Sequence, residues 1–366
     1  MTSAYRLSGY RALVLHIGVY KTGSSHLQAL FLANRAALAA RSIHFPPYRD
    51  PGMAQRRGGN HSMAVLRMGT NGLWPGLSET LDLASPHATL LLSAEDFARP
   101  DRLAHVLDRL PVEAPGLDSR FIAYLRRYDH LLESAYAQAV KHREHGPLEP
   151  DAQGVRFHQD LPRIRDRLGH RALILRPYTA RHWPGGQIGQ DFTTALGWTG
   201  LWAQMTEGRE ARQNVGLSRV HTHLLSRLTA VADKQALLAY FSDHPPPGAE
   251  TQTSRFFLSP ATRRQLNRDC LKQDAAMFRD LGIDDPVDFL DLESFPDADS
   301  WTPFRPDTPA LDRYLQQFFD RHQAPTAAAR PAAEGTDVEN VKLLAAKSPG
   351  AWQKIFNKFK LGRKKT

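Results

Sequence analysis

Four short, continuous apolar runs constrain this chain more than any other feature: Ala12 to Ile17 (ALVLHI), Thr89 to Ser93 (TLLLS), Arg120 to Leu125 (RFIAYL) and Ala172 to Arg176 (ALILR). A strand with one solvated face alternates apolar and polar residues, whereas a strand covered on both faces reads as an unbroken apolar run. Helical spacing follows at least two of them. Leu27, Leu30, Phe31 and Leu38 recur after the first run, and Leu131, Leu132, Ala135 and Ala139 after the third. The pattern predicts an α/β fold, a parallel sheet flanked by helices. Beyond Asn214 the spacing over Leu217 to Tyr240 and Pro260 to Leu281 is helical throughout, which predicts a mainly helical C-terminal part.

Between Pro47 and Pro75 the text is rich in Gly, Pro and Arg without a clean period, so it reads as a long excursion. From Gln323 the chain becomes an Ala/Pro linker with no means of building a core. The expected organisation is therefore a body over residues 1–322, helical from about 214, a linker over 323–340 and a basic amphipathic tail over 341–366.

Charge gives a warning against one function class. The formal excess is +9, but residues 341–366 hold eight Lys and Arg and no carboxylate, which leaves one net positive charge for the rest of the chain. A nucleic-acid-binding fold spreads its cations over one face of the body, so no nucleic-acid partner is expected. One cysteine, Cys270, excludes an intramolecular disulfide and a thiolate metal cluster. The apolar run after Arg11 is too short for an export signal of the usual kind and leads straight to Lys21, so a cytoplasmic location is expected. No apolar stretch approaches the length that spans a bilayer.

The most informative segment is Leu15 to Gln28, LHIGVYKTGSSHLQ, which reads as a strand ending at Gly18, a tight loop, and a helix starting near Ser24 or Ser25. Glycines let backbone approach an anion, a helix N-terminus turns unpaired N–H groups toward it, and Lys21, Ser24 and Ser25 add a charge and two hydroxyls. A nucleotide-triphosphate loop places Lys directly after its second Gly. Here Lys21 comes two residues before Gly23.

That order resembles the 5′-phosphosulfate loop of bacterial PAPS-dependent sulfotransferases, which have a P-loop-like fold. The residues carrying the resemblance are His16, Ile17, Gly18, Lys21, Thr22, Gly23, Leu27 and Gln28, then Asn34, Arg35 and Leu38, with Tyr20 where the family has Pro and Ser24 and Ser25 where it has a Thr pair. Patchier similarity continues through LRPYTARHWPGGQIGQDFTTALGW to about residue 225. The resemblance implies sulfuryl transfer from PAPS to a hydroxyl acceptor, with a carbohydrate or glycan as the family-level expectation and no metal required. It implies that Lys21 donates to the oxygen bridging sulfur and phosphorus, and that Thr22, Gly23, Ser24 and Ser25 hold the 5′-phosphate. Arg126, with Arg127 beside it, and Ser134 are implied for the 3′-phosphate. Glu95 after the second apolar run, or His61 in the GGNHS loop, is implied as the base, and Ser93 and Glu95 are expected to face the cleft.

Two other readings use the same residues. A nucleotide kinase or NTPase is disfavoured by the place of Lys21, and an inactive sulfotransferase-like protein would hold acidic glycans through Arg56 and Arg57. In the tail, Trp352, Ile355, Phe356 and Phe359 fall on one helical face and Lys354 and Lys358 on another, ahead of Arg363 to Lys365. Such a segment suits an anionic membrane surface, which would place the protein peripherally at the inner membrane face.

Overall fold

The computed structural model describes residues 10–19, 21–49, 57–58, 61, 88–98, 116–142, 161–168, 173–208, 217–228, 231–249 and 256–322. Its strands are β1 (Tyr10–Ile17), β2 (Ile43–His44), β3 (Tyr48–Arg49), β4 (Arg57–Gly58), β5 (Ala88–Ala94), β6 (Asp118–Leu125) and β7 (Leu173–Pro177). Five of them make a parallel sheet in the order β2-β5-β1-β6-β7, while β3 and β4 pair antiparallel on their own. The fold is thus α/β, with each of the four apolar runs on a sheet strand. In β1, Leu13, Val14, Leu15, His16 and Ile17 are all buried, and so are Leu90 to Ala94 in β5 and Phe121 to Leu125 in β6. Both faces are covered, which is why these strands read as unbroken apolar runs.

The helices follow in chain order: α1 (Ser24–Ala33), α2 (Arg35–Ala39), α3 (Tyr128–His142), α4 (Leu161–Leu168), α5 (Ile188–Ala195), α6 (Leu201–Gln204), α7 (Arg219–Ser226), α8 (Val231–Asp243), α9 (Pro260–Asp280), α10 (Pro286–Phe289) and α11 (Thr308–His322). The expected helical stretch from Leu217 to Tyr240 is two helices, α7 and α8. Among the described residues, no helix is long and apolar enough to cross a membrane.

The chain divides into two compact units. One comprises Met1–Leu131, Val155–Val215 and Arg264–Ser294, the other Leu132–Gly154, Gly216–Arg263 and Phe295–Thr366. The first unit's core packs Val14, Leu91, Ile122 and Tyr124 of the sheet with Leu27, Leu30 and Phe31 of α1 and Ile188 and Phe192 of α5. Gly189 of α5 has to be glycine, since a β-carbon there would lie 2.5 Å from Leu30 and 2.6 Å from Trp202. Asn34 closes α1, its amide donating to the carbonyls of Leu30 and Glu207 while its oxygen accepts from the Glu207 amide. Asp191, buried at the start of α5, takes a paired contact from Arg176 and the Tyr124 hydroxyl at 2.8 Å, which locks α5 to β6 and β7.

The second unit is helical. Its core joins Tyr136 and Val140 to Val220, Leu224 and Leu225 of α7, Leu237 and Tyr240 of α8, and Leu311, Leu315 and Phe318 of α11. Two of its buried charged side chains are held by hydrogen bonds. Glu133 accepts the Phe257 and Leu258 amides at 2.8 and 2.9 Å, and Arg263 grips both oxygens of Asp297 beneath the Phe256 ring.

Outside the described residues lie Arg56, the greater part of the Pro47–Pro75 excursion, Tyr20, the 323–340 linker and the 341–366 tail.

Candidate functional site

In an open parallel sheet, ligands gather at the carboxyl ends of the strands where the chain reverses its direction of travel across the sheet. Here the chain moves from β1 toward β2 and β5 on one side, then crosses to β6 and β7 on the other. The reversal falls at β1, and the loop from Gly18 to Gly23 leaves its carboxyl end.

The loop's shape depends on close approaches that only glycine permits. A β-carbon on Gly18 would stand 2.7 Å from the Ser24 hydroxyl, 3.0 Å from the Glu95 Cα and 3.1 Å from the Ala94 carbonyl. Gly18 also donates its amide to Ala94 at 2.9 Å. Gly23 has φ 78°, a left-handed conformation, and a β-carbon there would lie 2.9 Å from the Tyr178 ring. Lys21 is left-handed too, at φ 62°, an uncommon state for a residue with a side chain.

Gly23 is the N-cap of α1, and no side chain caps the helix. The first amides of a helix have no partner four residues back, and those of Gly23, Ser24 and Ser25 find no acceptor among the described residues. The two serines differ. Ser25 is exposed, whereas Ser24 is 1 % exposed and its hydroxyl has no partner among the described residues. Leaving a buried hydroxyl unmatched costs roughly 1–3 kcal/mol. Three amides and this hydroxyl, all without a partner among the described residues, thus come from adjacent residues at a helix N-terminus, which fits an anionic group carrying several acceptor oxygens. Ser24 also occupies the position, directly after the second Gly, that a nucleotide-triphosphate loop gives to its lysine.

Thr22 departs from expectation. It is fully buried and both its amide and its hydroxyl donate to the Val19 carbonyl, at 3.3 and 2.5 Å, so it braces the loop and offers an anion nothing.

The two expected bases behave differently. Glu95 is half-buried at the start of a short 3-10 turn, Glu95–Ala98, with its backbone against Gly18. His61 is wholly buried, its Nδ1 accepting from the Ser93 amide at 3.0 Å and its Nε2 donating to the Pro46 carbonyl at 2.9 Å. Burial pushes its pKa down to about 4. Both ring nitrogens are thus committed to backbone, and His61 is a tie between two chain segments with no nitrogen left to receive a substrate proton.

Ser93 is likewise corrected: it is buried and does not face the cleft. Its hydroxyl meets Nδ1 of His16 at 2.8 Å and accepts from Gln28 at 3.1 Å, a trio that joins β5, β1 and α1 beneath the loop. His16 is held neutral, burial pushing its pKa down to about 3. His16 and Gln28 stand out in the sequence only as polar side chains inside an apolar strand and on an apolar helix face.

Of the two arginines after β6, Arg127 is 4 % exposed, paired with Asp129 at 2.7 Å and donating to the carbonyls of Asp291 and Ser294. It is structural. Arg126 is half-buried and reaches the loop, donating from Nη1 to the Lys21 carbonyl at 2.7 Å. Its guanidinium lies over Tyr178, 5.3 Å from the ring centre. Ser134 is half-buried on α3. Tyr178 was missed by the sequence reading, because one tyrosine after a strand carries no periodic mark.

No protein-family model, curated protein or solved structure matches the chain.

Proposed function

We propose that the chain is a PAPS-dependent sulfotransferase of the P-loop-like fold, moving a sulfuryl group to a hydroxyl of a carbohydrate or glycan acceptor. The observation that carries the reading is the buried Ser24 hydroxyl beside the amides of Gly23, Ser24 and Ser25, none of them matched among the described residues, in a loop whose lysine precedes its second glycine. PAPS brings the sulfuryl group already activated, so the protein's task is alignment and charge stabilisation.

In this reading Gly23, Ser24 and Ser25 hold the 5′-phosphate, and Thr22 keeps the loop in shape. Lys21 neutralises charge on the bridging oxygen, where its effect is largest as the bond to sulfur breaks. Arg126 is the cation for the 3′-phosphate, and Glu95 takes the proton of the acceptor hydroxyl. The body acts in the cytoplasm, and residues 341–366 tether it to an anionic membrane surface, where lipid-linked glycans offer acceptors.

Calorimetry of the full chain with adenosine 3′,5′-bisphosphate, and separately with Mg-ATP, tests this. Binding of the bisphosphate, followed by transfer of labelled sulfate from PAPS to a glycan mixture, is the expected result. Binding of Mg-ATP alone would move the assignment to a nucleotide kinase or NTPase. Bisphosphate binding with no transfer to any hydroxyl would make it an inactive relative.

A further inference from the structure

Lys21 keeps a left-handed backbone although it has a side chain, and such a conformation persists only where its surroundings enforce it. Two residues far away in sequence reach this turn. Arg126, at the carboxyl end of β6, donates to the Lys21 carbonyl. Tyr178, just past β7, is anchored by its amide to the Leu125 carbonyl at 2.7 Å and sets its ring against Gly23, with the hydroxyl 3.1 Å from where a β-carbon would be. The guanidinium over the ring links the two, and the Trp183 ring packs edge-on against Tyr178, with ring centres 5.2 Å apart.

We propose that Arg126 and Tyr178 form a clamp that sets the Lys21 turn before any ligand arrives, making both of them positioning residues for anion capture by the loop. The role of the anion rests on the sulfotransferase reading; the clamp itself does not. Physically, the clamp removes ordering that a bound anion would otherwise have to supply, so affinity gains without a new contact to the ligand. Tyr178 acts through its ring, so its hydroxyl is dispensable for the clamp.

The test uses the full chain and has two arms. In the ligand-free arm, amide hydrogen exchange of residues 18–27 is followed in wild type, Tyr178→Phe, Tyr178→Ala, Arg126→Ala and the Arg126→Ala, Tyr178→Ala double variant. Tyr178→Phe should match wild type, and each alanine variant should exchange faster in this segment only. The double variant should be no faster than the worse single one. In the second arm, adenosine 3′,5′-bisphosphate and inorganic phosphate are the probes. Tyr178→Ala should weaken both by about fivefold to thirtyfold, the scale of one lost interaction, with Tyr178→Phe unchanged. Unaltered exchange in Tyr178→Ala, additive effects in the double variant, or a Tyr178→Phe defect equal to that of Tyr178→Ala would overturn the clamp. Should Tyr178→Ala fail to fold, Arg126→Ala against Arg126→Lys decides the ligand-free arm, with faster exchange expected in the first and a smaller change in the second. If exchange behaves as expected and wild type binds neither probe, the clamp stands and the sulfotransferase reading falls.

Discussion

The Ser24 hydroxyl occupies the space that a side chain on Gly18 would need, 2.7 Å from the position of its β-carbon. The two residues stand at either end of the loop that follows β1, and each limits what the other position can be. Gly18→Ala pushes on the Glu95 and Ala94 backbone as well, so relief has to come from the loop. A loss of about 1–3 kcal/mol in urea unfolding is expected, as for other overpacked sites, together with loss of adenosine bisphosphate binding. Ser24→Ala should behave in the opposite way. It removes a buried hydroxyl with no partner among the described residues, so the free protein should melt at the same temperature or higher, while stabilisation by the bisphosphate falls. A destabilised free protein would mean that Ser24 is a structural hydroxyl.

Lys21→Ala should abolish transfer while bisphosphate binding falls much less, since the charge it meets develops only as the sulfuryl group leaves. Single-turnover kinetics beside calorimetry separate the two. An unchanged single-turnover rate removes Lys21 from the chemistry.

Glu95→Gln should slow transfer with little loss of stability. His61→Asn should do the reverse, because the Ser93 amide and the Pro46 carbonyl lose their buried partners, at roughly 1–3 kcal/mol for each group left unmatched. Rates per folded molecule, measured below the melting transition, make the comparison. A folded but inactive His61→Asn would return the base to His61.

Acid should destabilise the protein through its buried histidines. His16 and His61 are held neutral by burial, with pKa values near 3 and 4 against an ordinary 6.5, and burial lowers His221 and His223 in the same direction. The unfolded chain therefore binds more protons below pH 6.5, so stability is complete above that value and falls as pH drops toward 4. The slope is roughly 1.4 kcal/mol per pH unit for each histidine that protonates on unfolding. Urea midpoints at pH 7.5, 6 and 5 check this; a flat profile across that range contradicts the buried neutral histidines.

The tail makes its own prediction. The full chain should float with anionic vesicles at low salt and a chain ending at Pro331 should not, because the apolar residues on one helical spacing and the Lys and Arg around them all lie beyond that point. Equal flotation of both chains, or of neither, ends the tether proposal.

Local pattern alone determined four of the five strands of the parallel sheet, and it marked the loop from Gly18 to Gly23; the two-residue β2 carries no apolar run of its own. Unbroken apolar runs can be satisfied only by burial on both faces, and the order Gly18, Lys21, Gly23 puts flexible backbone and a cation ahead of a helix. What each polar side chain does was decided by tertiary structure. Ser24 and Ser25 are alike in sequence, yet the fold buries one and exposes the other. Arg126 and Arg127 are neighbours, yet Asp129 and two carbonyls occupy the second while the first reaches Lys21, 105 residues away. His61 reads as a base until Ser93 and Pro46 take both of its nitrogens, and His16 finds Ser93 across a register set by parallel pairing, 77 residues on. A hydrogen bond depends on the direction and distance of a partner, and neither is defined until the sheet has brought distant segments side by side.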